Sequence, residues 1–211
     1  MNSIAYEMRN YNLGFISDEN IYNHVRETVT RYSASINLRE FNKNIVDPIK
    51  LTFDAKVYGR TMEEVVASEC IRQMDKSNNN HIGYFHQNLF RYAGNGWTVP
   101  PEGFDVVNEE QHIYACLLDN PKSLTKKKMN SLMIRCFDKQ IHDKGAVCYI
   151  VNMNDHSGKD EIWKADNIED NFSSKDIRLV SIDRFYEIVF NDKTAYQRIC
   201  DVLPLILDDI N

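Results

Sequence analysis

Along the first 93 residues the apolar positions recur every three or four residues, and beyond them short runs with a two-residue period alternate with further helical stretches. Ser17 followed by Asp18 and Glu19 makes an N-cap with an acidic first turn, and Ile21, Val25, Val29 and Tyr32 follow at helical spacing. A second helix is predicted over residues 38–46. Asp47-Pro48 closes it, because a residue that precedes proline is pushed out of helical dihedrals. Thr61 with Glu64 fits a capping box, opening a helix whose inner face is Val65, Val66, Cys70, Gln73 and Met74. The polar run 77–81 (SNNNH) is expected to interrupt it. Ile82, Phe85, Leu89 and Phe90 then mark one face of a helix that stops at Gly94-Asn95-Gly96.

From there the period changes. Residues 104–107 and 112–118 read as short strands joined by the polar turn 108–111. Residues 123–141 return to helix, with Met129, Leu132, Met133, Cys136, Phe137 and Ile141 as its buried stripe. A central strand over 146–151 and another over 177–180 lead into two closing helices, SIDRFYEIVF and TAYQRICDVLPLILDDI, the second kinked at Pro204. Helices, hairpin, crossover helix, strands and helices describe an α/β protein with a mixed sheet flanked by helices. The expected organisation is a helical part, 1–93, packed on a core, 94–211, in one compact domain.

Composition supports a packed core. Apolar residues make up 43% of the chain, with 10 Phe and 11 Tyr, which excludes a disordered segment. No run approaches the roughly 18 apolar residues of a membrane span, and MNSIAYEMRN lacks the apolar region of a secretory signal. Five scattered cysteines form no CxxC pair, so neither a zinc knuckle nor a disulfide framework is indicated, and a reduced cytoplasmic protein is expected.

Net charge is −6, which argues against nucleic acid until its distribution is read. Residues 122–144 hold seven basic side chains (Lys122, Lys126, Lys127, Lys128, Arg135, Lys139, Lys144) against Asp138 and Asp143. That segment is therefore +5 and the remainder −11, the pattern of a localised anionic partner. The run Lys126–Lys128 reads either as a solvated helix face or as a phosphate contact. It falls in a first helical turn, where the macrodipole disfavours cations, and a bound phosphate would compensate. Asn78, Asn79, Asn80 and Gln87 are candidates for reading base edges. His81 and His86 are five apart and share no helical face, so they make no metal pair.

The residue that raises the question of chemistry is Asp105, at the start of the first predicted strand in GFDVVNEEQHIYACLLDN. On its own it reads as a turn-proximal carboxylate capping backbone amides. A strand–turn–strand–helix–strand unit opened by an aspartate is also the framework of the PD-(D/E)xK nucleases. Their chemistry sets a second carboxylate and a lysine, one residue apart, on the neighbouring strand. Period two aims both at one face, where two carboxylates converge on Mg²⁺ and the lysine assists attack by water. The stretches FISDENIYNHV, FNKNIVDPIKLTFDAKVYG, HIGYFHQNLFRYAGNGW, GFDVVNEEQHIY, AVCYIV, RLVSIDRFYEIV and CDVLPLILDDI carry a resemblance, over nearly the whole chain, to type II restriction endonucleases of the group that cuts GGNCC.

One strand departs from that family. Where members read roughly YVE-x-KNKHNTMN, this chain has Tyr114-Ala115-Cys116-Leu117-Leu118-Asp119-Asn120-Pro121-Lys122. Without gaps, Asp105 falls on the first carboxylate, Cys116 on the glutamate and Leu118 on the lysine. A thiol is a soft ligand ill-suited to Mg²⁺, and leucine carries no charge. Asp105 is then the one metal ligand left, and a bulge, or a lysine arriving from the crossover helix (Lys122 or Lys126), would be needed to rebuild the site. The resemblance implies a component of a type II restriction system that binds double-stranded DNA, and the basic segment offers Lys122, Lys126, Lys127, Lys128 and Arg135 as its contacts. Its Mg²⁺-dependent site is degraded, so cleavage falls to a partner. The partner is expected to be a second copy or another restriction subunit, with no membrane involved. Two alternatives stand beside it. One is an active endonuclease with relocated residues, which uses Mg²⁺; the other is a non-catalytic interaction or regulatory subunit.

Overall fold

The computed structural model describes residues 9–32, 35–44, 46–163 and 174–210. The chain forms two compact units, Met1–Arg26 with Phe85–Asn211, and Glu27–Tyr84. Two helices, α1 (Asp18–Arg31) and α4 (Met62–Leu89), contribute residues to both.

In the unit 27–84 local signals set the helix ends. Asp47 caps α3 (Pro48–Val57), accepting the Ile49 N–H at 2.9 Å, with Pro48 at the first helical position where its missing N–H costs nothing. This helix lies beyond what the sequence reading anticipated, and the predicted helix over 38–46 shrinks to the single turn α2 (Leu38–Phe41). The capping box forms as expected. Glu64 N–H donates to Thr61 Oγ1 at 3.2 Å and Thr61 N–H to Glu64 Oε2 at 2.8 Å. The polar run 77–81 does not break the helix, for α4 runs unbroken over 28 residues. Ser and Asn lower helix propensity only modestly, and neither Gly nor Pro falls in the run. Asn79 Nδ2 also donates to Asp75 Oδ2 one turn back, at 3.2 Å. The predicted inner face holds at Val65 and Gln73, and buries Glu69 as well, held by Arg72 Nε at 2.7 Å.

The larger unit is built on a six-stranded sheet in the order β1-β2-β3-β4-β6-β5. The strands are β1 (Trp97–Thr98), β2 (Val106–Asn108), β3 (Ile113–Leu118), β4 (Val147–Asn152), β5 (Asp160–Ile162) and β6 (Ile177–Ser181). β1, β2 and β3 run antiparallel, β3, β4 and β6 parallel, and β5 antiparallel to β6. The expected mixed sheet flanked by helices is therefore present. β1 and β5 were missed, since runs of two and three residues carry no periodic signal.

Alternation along the strands divides the core between two faces. Tyr114, Cys116, Cys148, Ile150, Ile177 and Leu179 pack with Leu132, Met133 and Cys136 of α5 (Lys126–His142). On the opposite face Tyr149 meets Phe185 of α6 (Ile182–Phe190), with ring centroids 6.0 Å apart. Phe90 stands against Phe185 and Tyr186 at 5.1 and 4.9 Å. α7 (Ala195–Ile210) packs on α6 and continues through Pro204. Two predicted stripe residues do not bury: Ile141 and Ile82 are 75% and 40% exposed. Among the described residues no helix is long and apolar enough to cross a membrane.

Candidate functional site

Asp105 immediately precedes β2, and its neighbours come from three directions. Its N–H donates to Ala115 O on β3 at 2.9 Å, and its carbonyl oxygen accepts from Gln87 Nε2 at 3.3 Å. The side chain completes the ladder that the main chain leaves open, with Oδ2 accepting the Leu117 N–H at 2.8 Å. Capping of a backbone amide, the plain reading of this residue, is thus what the structure displays. The candidate base reader Gln87 is engaged here.

The adjoining strand supplies no second charge. Val106 pairs with Ala115, so Cys116 lies one step beyond that pair, next to Asp105. Cys116 is 3% exposed, and Leu118 packs against the same apolar cluster under α5. Burial, with the Asp105 charge next in weight, pushes the Cys116 thiol up to about 12, so it stays a neutral thiol at physiological pH. Burial also raises the Asp105 carboxyl above its ordinary value, opposed by the Leu117 N–H and the charge of Arg135.

Arg135 reaches this hairpin from the middle of α5. Its Nη1 donates to Gly103 O at 2.5 Å and lies 3.9 Å from Cys116 Sγ. The sequence had marked Arg135 as a nucleic-acid contact without placing it beside Asp105. The available clue was its position next to Cys136, which turns it toward the edge of the buried stripe. These groups do not suit a resident Mg²⁺. The ion wants several hard oxygens, and here, among the described residues, one carboxylate, with an oxygen already bound to an amide, stands beside a buried thiol and a guanidinium. Neither Lys122 nor Lys126 forms a hydrogen bond or ion pair with Asp105 among the described contacts.

The other basic candidates divide by position. Lys122 sits in a 3-10 turn, Pro121–Ser123, capped by Asn120. Lys126, Lys127 and Lys128 form the exposed first turn of α5, and Thr125 caps that turn by accepting the Lys128 N–H at 3.4 Å. Lys139 turns toward the hairpin instead, its Nζ lying 4.2 Å from the centre of the Tyr114 ring. There Asp143 ties the hairpin to the end of α5, accepting from Tyr114 Oη at 2.6 Å and pairing with His112 Nδ1 at 2.6 Å. Sequence alone gave no sign of this clamp, because its members are about 30 residues apart in sequence and none forms a motif.

Comparison with known proteins gives the chain a family. The family model described as Eco47II restriction endonuclease matches residues 13–211. The chain is similar to the type II restriction enzyme Sau96I of Staphylococcus aureus, 29% identical over 96% of this chain and 82% of that protein. It is also similar to the type II restriction enzyme Eco47II of Escherichia coli, 28% identical over 94% of this chain and 87% of that one.

Proposed function

The chain belongs to the Eco47II restriction endonuclease family, and we propose that it acts as a DNA-binding component of a type II restriction system whose own PD-(D/E)xK site no longer cleaves. The observation that carries the reading is the state of the β2–β3 hairpin. Asp105 serves a backbone amide, Cys116 is buried in the apolar cluster with Leu118 packed against it, and among the described residues no second carboxylate or lysine joins them. Exposed cations remain nearby on Lys122, Lys126, Lys127 and Lys128. They supply the phosphate contacts that dominate duplex affinity. Sites of the GGNCC type are the first to try, given the likeness of the chain to enzymes of that group. Cleavage, where it occurs, belongs to the assembly and to Mg²⁺ held by a partner.

Two measurements test this. Fluorescence anisotropy with labelled duplexes is expected to show binding that weakens steeply with salt. Supercoiled plasmid incubated with the purified chain and Mg²⁺ is expected to stay intact. Linearisation that stops with EDTA, and is lost in Asp105→Ala, would establish instead an active endonuclease with relocated residues.

A second reading, a subunit that works through protein contacts, is favoured by one face of α3. Ile49, Phe53 and Val57, spaced four apart, are 67%, 65% and 68% exposed. Three large apolar side chains aligned on one helix face are characteristic of an interaction surface. Sedimentation of the protein alone and with Phe53→Asp separates this role from DNA binding. Self-association abolished by the substitution supports it, and a monomer unaffected by the substitution opposes it.

A further inference from the structure

Arg135 differs from the other cations of α5 in being anchored. Its Nη1 holds Gly103 O and touches Cys116 Sγ, and among the described residues that nitrogen alone is engaged. The side chain is exposed. A guanidinium offers five donors in a rigid fork matched to phosphate oxygens. One fixed nitrogen therefore leaves the rest oriented in advance, at lower entropic cost on binding. Lys128 precedes Arg135 by seven residues, two helical turns, so the two occupy one side of α5. Asp105 opposes a phosphate less than a free carboxylate would, since Oδ2 is turned to the Leu117 N–H.

We propose that Arg135 is a backbone-phosphate contact of this hairpin and that the contact is made without a divalent ion. It rests on the DNA-binding reading and gives it a specific anchor. In the arrangement implied by the resemblance, charge is supplied to the phosphate from the active-site strand. Here that strand is neutral at Cys116 and Leu118, and the positive charge comes from the helix above it. A guanidinium beside Asp105 also repels Mg²⁺ from the one carboxylate available, so the phosphate contact and the absence of metal affinity have one cause.

The test is anisotropy of a fluorescein-labelled duplex with the full chain, in EDTA and in MgCl₂ at matched ionic strength, across a salt series. The unaltered protein should bind within about two-fold equally in both, because its phosphate contacts are made by fixed cations. Arg135→Gln removes the charge and the fork, and its shorter side chain gives up the Gly103 O contact as well. It should weaken binding about five- to ten-fold and make the log–log salt slope shallower by about one. Arg135→Lys retains the charge without the fork, and should restore the slope but not the full affinity. Binding by Arg135→Gln equal to the unaltered protein overturns the proposal while leaving the DNA reading intact. So does unaltered protein that needs MgCl₂ for a gain of more than about ten-fold, since fixed cations alone would then not make the contact. Unaltered protein that binds no duplex at low salt overturns the DNA reading and the proposal together. Melting curves verify the fold of each variant. If Arg135→Gln does not fold, affinity of Arg135→Lys indistinguishable from the unaltered protein refutes the role of the fork.

Discussion

Substitution of Asp105 by alanine and by asparagine separates its work as a backbone acceptor from its work as a charge. Alanine leaves the Leu117 N–H without the 2.8 Å bond it makes to Oδ2. An orphaned, partly buried donor costs about 1–3 kcal/mol. Removing a desolvated carboxylate returns part of that, so the net loss is about 1–2 kcal/mol. For a chain of this length each kcal/mol lowers the melting temperature by about 2–4 °C, so Asp105→Ala should melt about 3–6 °C lower. Asparagine keeps an oxygen for Leu117 and sheds the charge. It forfeits only the attraction of an exposed arginine, which solvent screens, and should melt within about 1 °C of the original. The gap depends on pH in a definite sense. Burial raises the Asp105 carboxyl above its ordinary 3.8. Its ionised form is therefore penalised in the folded state, and that penalty is absent below 3.8 and complete once pH has risen through the folded value. Asparagine should accordingly compare best with aspartate at neutral pH and lose ground as pH falls toward 4. Thermal melts at pH 7 and pH 4 measure this. Equal losses for Ala and Asn at pH 7 would refute the capping argument and point to a carboxylate held by its charge.

Other consequences are as direct. Cys116→Glu with Leu118→Lys should give the hairpin a Mg²⁺-dependent rise in melting temperature that EDTA abolishes; a folded double variant indifferent to Mg²⁺ would show that these positions do not answer to the family's glutamate and lysine. Replacing Lys126, Lys127 and Lys128 by alanine should weaken duplex binding and flatten its salt slope by about 2–3. The same change should raise the melting temperature by about 2 °C, because cations leave a helix N-terminus. His86, whose Nδ1 lies 2.8 Å from Tyr186 Oη, is brought down to about 4 by burial. The unfolded chain then binds a proton that the folded one refuses, so stability should fall as pH drops from about 6.5 toward 4, by about 3 kcal/mol at 1.4 kcal/mol per pKa unit. Urea melts of the original and of His86→Gln check this, and parallel pH profiles would count against it.

The helix starts at Ser17 and Thr61 and the sheet strands of five or six residues were legible because each carries a local mechanism. The Thr61–Glu64 box and the Ser17 cap fix backbone donors by themselves, and β3, β4 and β6 are apolar runs between breakers. Where the sequence misled, a tertiary or i,i+4 contact outweighed a modest propensity, as at Asn79 within α4. Asp105 and Cys116 are neighbours in the hairpin, whose register follows from the turn and the alternation. Arg135 was identified as basic but not located. Which way a long side chain turns on a helix depends on what that helix covers, and the sequence states only that Cys136 beside it is buried.

On the proposed reading, the hairpin also explains how such a site can lose its charges without loss of the fold. In the arrangement the resemblance implies, two carboxylates and a lysine sum to one negative charge, which keeps the strand hydrated until a cation arrives. Here Asp105 and Arg135 sum to zero. A strand with no unbalanced charge has no need of water at positions 116 and 118, so Cys116 and Leu118 can join the cluster formed by Leu132, Met133 and Cys136 beneath α5. Once that packing exists, a lone Glu at 116 meets a desolvated pocket and a neighbouring carboxylate rather than a metal site. Restoration therefore needs both substitutions together, and loosening the contact from Arg135 should strengthen the restored site, so the triple variant with Arg135→Ala should bind Mg²⁺ more tightly than the double. Isothermal titration of the two proteins compares them, and equal affinities would show that the guanidinium does not oppose the ion.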